Sequence, residues 1–358
     1  MATDPHSTQS ATARICRRCI LQDSIPGVTI GADGICSLCA EQTETTRGVP
    51  PGEDAFLQAL APRGRRAAYD CLCLYSGGKD STYMLYVLSK KLKLRVLAMT
   101  LDNWFLSPQT QVNIKNTLQR LENVDHIQVR PSWSSVQTAF RTGFGFEKGT
   151  PLGDKAFLLG HACFSCFSLI AMYGGQLAMQ KGIRNIVLGA TPGQLTQKSV
   201  ADLRLRYRSA SDGFRATIRP LLRELSTRDP SFRTYARTGP LKLFRLLRLR
   251  LVPLYDFVSY SEADIYRTVQ DELGWVRPRD TDSCSTNCQL NALGIHVHRQ
   301  RYGISPYVIP LAHDVRHGLL TREDALSAVG APVNPAIVKR VASQLGLEPL
   351  AADLPSSD

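Results

Sequence analysis

Apolar and polar residues follow two periods along this chain, and from residue 70 onward the two alternate. Asp70–Tyr75, Arg95–Leu101, His126–Val129 and Asn185–Gly189 are short apolar runs that read as strands. Between them Thr82–Leu92, Val112–Leu121 and Ser168–Lys181 place apolar residues at helical spacing, the last interrupted by Gly174 and Gly175. Strands alternating with helices predict an α/β domain whose parallel sheet carries helices on both faces. Further on, Leu241–Leu251 interleaves leucine with arginine and lysine, as a basic amphipathic helix does. Leu251–Asp256 reads as a strand, and Ser261–Leu273 as a helix opened by Ser261 and Glu262. Thr321–Leu345 reads as two helices, the first capped by Thr321 with Asp324 three residues on.

The same pattern divides the chain. Residues 1–14 are polar, are expected to be disordered, and lack the apolar core of a signal peptide. Residues 15–45 hold four cysteines and little else apolar, and 46–66 read as a Gly/Pro-rich linker around a short helix. Residues 67–200 form the α/β domain, 201–250 a basic helical insertion, and 251–358 a helical C-terminal region that completes the site. No run of 18 apolar residues is present, so no membrane span is expected, and the cytoplasm is the default location.

Charge adds a candidate partner. The net charge is +12, and residues 203–250 hold 13 Arg or Lys against Asp212, Glu224 and Asp229. Tyr207, Phe214, Phe232, Tyr235 and Phe244 interleave with these cations, a composition suited to gripping and stacking RNA. The alternative is a solvated helical insertion with its leucine face packed inward.

The first strand runs into Tyr75-Ser76-Gly77-Gly78-Lys79-Asp80-Ser81, and a helix follows. Glycines let successive N–H groups turn inward around an anion, and the helix N-terminus adds its dipole. Ser76 and Ser81 offer hydroxyls, Lys79 a charge, and Asp80 a carboxylate for Mg²⁺ or for orienting the loop. This is not the Walker loop, which needs four residues between glycine and Gly-Lys. Ser-Gly-Gly-Lys-Asp-Ser resembles the signature of the PP-loop ATP pyrophosphatases (adenine nucleotide alpha hydrolases) over roughly residues 68–200 and 251–291. The resemblance implies ATP with Mg²⁺, adenylation of a carbonyl oxygen, release of pyrophosphate, and displacement of AMP by a nitrogen or sulfur nucleophile. It also implies an adenosine site at Asp102 and at Gly189-Ala190-Thr191. Many relatives carry Gly-His and a pair of acids at the latter place, where this chain has Gly189-Ala-Thr-Pro-Gly-Gln194.

Eight of the ten cysteines fall in short-spaced pairs; Cys71 and Cys73 lie in an apolar strand as plain core residues. Cys16-x₂-Cys19 and Cys36-x₂-Cys39 have the spacing of a closed four-thiolate Zn²⁺ site, an iron–sulfur cluster being the alternative. Similar zinc ribbons occur in the tRNA 2-thiouridine synthetases and the N-acetyl sugar amidotransferases. Cys163-x₂-Cys166 and the distant Cys284-x₃-Cys288 form a second set. It resembles that of the tRNA 2-thiocytidine and 2-thiouridine synthetases, in which a Cys-x₂-Cys and one distant cysteine serve sulfur transfer. Three of these thiolates can hold a [4Fe–4S] cluster with one open iron, Cys163 and Cys166 can carry a persulfide, or all four can form a second zinc site. His161, His296 and His298 lie near these cysteines and are candidate ligands.

The leading expectation is ATP-dependent thiolation of tRNA or a small metabolite, supplied by a sulfur carrier. The segment Asp314–Leu326 instead resembles part of the N-acetyl sugar amidotransferases, which implies conversion of a sugar N-acetyl group to acetamidino with ammonia from a partner glutaminase. A non-catalytic nucleic-acid-binding protein is the third reading, and a homodimer is one possible assembly.

Overall fold

Strand β1 (Cys71–Leu74) lies at the centre of a five-stranded sheet with β2 (Val96–Leu101), β3 (Val124–Val129), β4 (Asn185–Leu188) and β5 (Arg250–Pro253) in the order β3-β2-β1-β4-β5. A computed structural model provides these coordinates and describes residues 13–42, 50–62, 67–191, 193, 218–237 and 239–355. All four strand pairs are parallel, with Cys71 opposite Val96, Leu72 opposite Ile186, and Val187 opposite Val252. The chain adds strands outward from β1 through β2 to β3, then returns to place β4 on the other side of β1. That reversal opens a crevice at the carboxyl ends of β1 and β4, the usual ligand position in such sheets. The architecture is Rossmann-like.

Alternation along β1 separates two cores. Cys71 and Cys73, fully buried, face a cluster with Met84, Leu85, Ile114, Val269 and Trp275. These residues come from helices Lys79–Tyr86, Pro108–Gln119 and Glu262–Leu273 and from the turn after the last. Leu72 faces the opposite cluster with Ala178 of helix His161–Lys181. That helix is long and apolar enough to cross a membrane by length and composition. Here it is a core helix: a Cβ at Gly174 would lie 2.7 Å from Leu74 of β1.

Several elements differ from the sequence expectation. The helix expected at Ser168 begins at His161, so Cys163 and Cys166 lie within it and not ahead of it. Its start is set by Gly160 at φ 79, a left-handed residue that breaks from helix Pro151–Leu159. Helix Leu290–Tyr302 is buried nearly all round and shows no polar face from which to read it. Strand β5 ends at Pro253, where a 3₁₀ turn Leu254–Asp256 replaces the expected extension. The short helix expected within 46–66 is Glu53–Ala59.

Contrary to expectation, the N-terminal cysteine segment is not poor in apolar residues, for it buries Ile20, Leu21, Ile25, Val28, Ile30 and Leu38. They share one core with Phe157, Leu158, Ile304, Val308, Ile309, Ala312 and Ala325. Arg322 Nε donates to Cys19 O (3.0 Å), and Gln42 donates to Arg316 O (2.9 Å). The Asp314–Leu326 segment is thus the platform on which the cysteine knuckles dock.

The basic insertion splits into two environments. Leu221, Leu222, Leu225 and Phe232 pack inward, and Tyr235 meets Tyr173 at 5.3 Å. Helix Pro240–Leu247 buries Leu246 but exposes Leu241, Phe244 and Leu247, so its leucine face is only partly covered. Tyr207, Phe214 and Gln194 lie outside the described residues.

His298 is a core residue, stacked on Phe157 (5.3 Å) with its Nδ1 lacking a partner. Burial, and then His161, Arg301 and Lys148 nearby, push its pKa down from 6.5 to about 3. The folded chain therefore holds it neutral where the unfolded chain protonates it. The stability it contributes is fully present above pH 6.5. It is lost as the pH drops from there to about 3, by about 1.4 kcal/mol for each pH unit. Denaturant titrations across that range should show a smaller slope for His298→Phe than for wild type.

Candidate functional site

The Ser76–Ser81 segment sits at the crevice. β1 ends at Leu74, Tyr75 N–H donates to Met99 O (2.9 Å), and the chain turns through Gly77 at φ 77. A Cβ on Gly77 would lie 2.7 Å from Thr110 Cγ2 and 2.8 Å from Ile114 Cγ1, so both backbone angle and space require glycine. Gly189, at the end of β4, passes so close that a Cβ would lie 3.2 Å from Ser81 Cα. The loop is fixed from outside by Trp275 Nε1–H donating to Gly77 O (3.0 Å) and Tyr255 O–H donating to Asp80 O (2.7 Å). Ser76 and Ser81 hydroxyls lie 3.0 Å apart, and Lys79 N–H donates to Thr286 Oγ1 (3.1 Å). Lys79 Nζ lies 2.8 Å from Asp80 Oδ1 and 3.5 Å from Glu262 Oε1.

A cavity of about 300 Å³ opens beside this loop, within the size range of small-ligand pockets. Ser76, Gly78, Asp80 and Ser81 line it from the segment after β1, Gly189 and Ala190 from the end of β4, and Cys163, Cys166, Cys284 and Cys288 complete the lining. Tyr75, Gly77, Lys79, Asp102 and Thr191 do not line it. Asp102 is buried and accepts from Gln128 Nε2 (2.9 Å) and Arg130 Nη2 (2.6 Å); its neighbour Asn103 reaches the cavity instead.

Asn103 organises the second cysteine set. Its Nδ2 donates to Cys288 Sγ (3.4 Å) and Cys166 Sγ (3.5 Å), while its Oδ1 accepts from Phe105 N–H (3.0 Å). The segment that carries Cys288 pairs with the loop after β2: Leu106 bridges Cys288, Gln289 N–H donates to Phe105 O (2.9 Å), and Ser107 N–H to Asn287 O (3.0 Å). Cys163 donates to Asn291 Oδ1 (3.4 Å), and the Asn291 amide donates to Asp282 (2.8 Å) and Tyr307 (2.9 Å). Cys284, the other candidate for the distant cysteine, instead contacts Ser283 Oγ and Ala328 O, each at 3.7 Å. Burial pushes the Cys163 thiol up to about 12 and Cys284 to about 11, and it raises Cys166 and Cys288 as well. None of the four is a thiolate at neutral pH unless a cation is supplied.

The N-terminal set is tighter. Cys16 and Cys39 sulfurs are 3.8 Å apart, and those of Cys19 and Cys36 3.7 Å. A tetrahedral site with Zn–S near 2.3 Å sets sulfurs about 3.8 Å apart, so these four can hold zinc as they stand. Backbone N–H groups of Cys19, Leu21 and Cys36 point at the sulfurs. Among the described residues these four are the cluster of potential ligand atoms lying within 4.8 Å of one another; the second set is more widely spread. The spread and the outward contacts of Cys284 do not fit the four-cysteine second zinc site. Nor are the histidines gathered to a metal: His161 bonds Gly143 O (2.9 Å) and Tyr302 Oη (3.1 Å), and His296 bonds Asp353 (3.1 Å).

No family model matches the chain. It is similar to the uncharacterized protein MJ1599 of Methanocaldococcus jannaschii, 23% identical over 280 residues, covering 78% of this chain and 79% of that protein. Sequence reading does not find Asn103, Asn291, Tyr307 or Thr286 as site residues. Asn103 carries a signal, since it follows the end of β2 directly, beside Asp102. Asn291 and Thr286 acquire their places only when residues 282–291 fold over the loop.

Proposed function

We propose that the chain is an adenylating sulfurtransferase that binds ATP at Ser76–Ser81 and thiolates a carbonyl-bearing acceptor in the adjoining cavity. The observation that carries this reading is the shared cavity: Ser76, Gly78, Asp80 and Ser81 line it together with Cys163, Cys166 and Cys288. The acceptor's carbonyl oxygen attacks the α-phosphorus, the bond to the β-phosphate oxygen breaks, and pyrophosphate leaves. A sulfur nucleophile then adds at the activated carbon and AMP departs with the oxygen. The carbon is tethered to the α-phosphate, so its sulfur source must come within about 3–3.5 Å of it, which a common cavity permits.

Phosphate would be bound by the Ser76 and Ser81 hydroxyls and by the N–H groups of Ser76, Gly78 and Lys79, which here donate to Ser81 Oγ, Ser76 Oγ and Thr286 Oγ1; Lys79 supplies positive charge, and Asp80 is the carboxylate for Mg²⁺. Cys163, Cys166 and Cys288, partly buried, not gathered as closely as a mononuclear site demands and two of them sharing the Asn103 amide, are the thiols that would hold a [4Fe–4S] cluster. Such a cluster supplies an open iron for exogenous sulfide. Cys284 is left outside the set.

Thiolation is tested by incubating the protein anaerobically with ATP, sulfide and bulk tRNA, then digesting the tRNA and analysing its nucleosides by mass. A thionucleoside formed with stoichiometric pyrophosphate is expected. Pyrophosphate release that instead requires ammonia and an N-acetyl sugar would replace this reading with amidotransfer.

A further inference from the structure

Trp104 stands out in the loop after β2. It has a left-handed backbone (φ 71) and is 45% exposed. A bulky residue adopts this conformation only at a cost, and such strain concentrates at ligand sites. Packing covers only part of this residue, which leaves a large aromatic surface open to solvent. The surroundings hold it firmly all the same. Asp102 Oδ1 accepts the Trp104 N–H (3.0 Å), while Arg130 and Gln128 tie down the other carboxylate oxygen. The indole Nε1–H donates to Pro131 O (2.9 Å), and Trp133 meets the ring edge-on at 5.7 Å. The Arg130 guanidinium lies 4.9 Å from the ring centroid, and its side chain is 56% exposed.

The result is an anchored, exposed aromatic ring paired with a cation, one residue from Asn103 at the cavity wall. A ring held this way offers a surface for stacking a planar heterocycle, and a guanidinium with N–H groups beyond those used on Asp102 offers donors to a phosphate. We propose that Trp104 and Arg130 form a platform for an unpaired nucleobase of an RNA acceptor, Trp104 stacking the base and Arg130 engaging its phosphate. The net charge of +12 suits a polyanion, and the Arg130 N–H groups not spent on Asp102 would meet no acceptor charge on an uncharged sugar ring. The proposal rests on the thiolation reading for what happens next to the acceptor, but not for its binding.

The test measures binding of a fluorescein-labelled single-stranded oligoribonucleotide to full-length wild type, Trp104→Gly and Trp104→Phe, with thermal unfolding of each. Loss of base stacking is worth about 1–3 kcal/mol, so Trp104→Gly should bind roughly 5- to 150-fold more weakly. Its unfolding midpoint should change little, because glycine's free adoption of the left-handed angle offsets the lost Pro131 and Trp133 contacts. Trp104→Phe should keep most of the affinity. Equal RNA affinity in wild type and Trp104→Gly overturns the platform. So does a loss confined to ATP or to a UDP-N-acetylhexosamine, or a fall in affinity matched by a fall in stability. Weaker RNA binding in Trp104→Gly without any thiolated product in wild type would leave the platform standing and remove the proposed reaction.

Discussion

Lys79→Ala is expected to reduce acceptor-dependent pyrophosphate release by about 10²–10³-fold, the usual loss when one preorganised charge or donor is taken from a transition state. Burial works against the Lys79 charge, but the carboxylates of Asp80 and Glu262 outweigh it and raise the pKa, so the ammonium persists across the working pH range. It is held at the base of a loop whose glycine turn and external hydrogen bonds leave little freedom to compensate for its loss. The fold should survive, because partly exposed ion pairs such as Lys79–Glu262 contribute about 0–1 kcal/mol. Asp80→Ala should act in the same direction through lost orientation of Lys79 and of Mg²⁺. Steady-state pyrophosphate assays, with circular dichroism as the control for folding, decide it; undiminished release in both variants would remove the loop from the chemistry.

Changing Cys16 and Cys19 to serine should abolish about one tightly bound Zn²⁺ per chain and destabilise much more than the knuckles alone. Four sulfurs this close repel one another as anions: Cys19 retains the first thiolate, and through it Cys36 and Cys39 are raised. A divalent cation removes that conflict, and structural zinc contributes up to about 10–16 kcal/mol in isolated knuckles. The ribbon's core is continuous with helix Val308–Arg316, and Tyr307 immediately before that helix lines the cavity. Loss of zinc should therefore lower the thermal midpoint and also loosen the Tyr307–Asn291–Cys163 hydrogen-bond chain. Metal analysis with calorimetry checks this; a double variant with unchanged zinc and midpoint would place the metal elsewhere.

The sheet is legible in the sequence because its strands are short apolar runs bounded by turns, and the Gly-Gly loop after β1 announces the crevice. Helix Trp133–Phe144 carries a readable stripe in Val136, Ala139, Phe140 and Phe144 behind the Ser132 cap, yet the sequence reading passes over it. Leu290–Tyr302 carries none, being buried on all sides. The choice between Cys284 and Cys288 is not decidable from spacing. The proposed choice of Cys288 rests on the Leu106–Cys288 bridge and the Asn103 contact, which join segments far apart in the chain and which no local pattern encodes. Asp102 is expected at the site from resemblance alone; its carboxylate braces Arg130 and Trp104, and its neighbour Asn103 is the side chain that meets Cys166 and Cys288.

Iron, sulfide and zinc analysis of the anaerobically purified protein, together with Cys284→Ser and Cys288→Ser, tests the central claim most directly. Wild type and Cys284→Ser should be brown, with iron and acid-labile sulfide beside about one zinc per chain. Cys288→Ser should be colourless, retain that zinc and still bind ATP. A colourless wild type containing zinc alone, or iron that is lost in Cys284→Ser and kept in Cys288→Ser, would contradict the account.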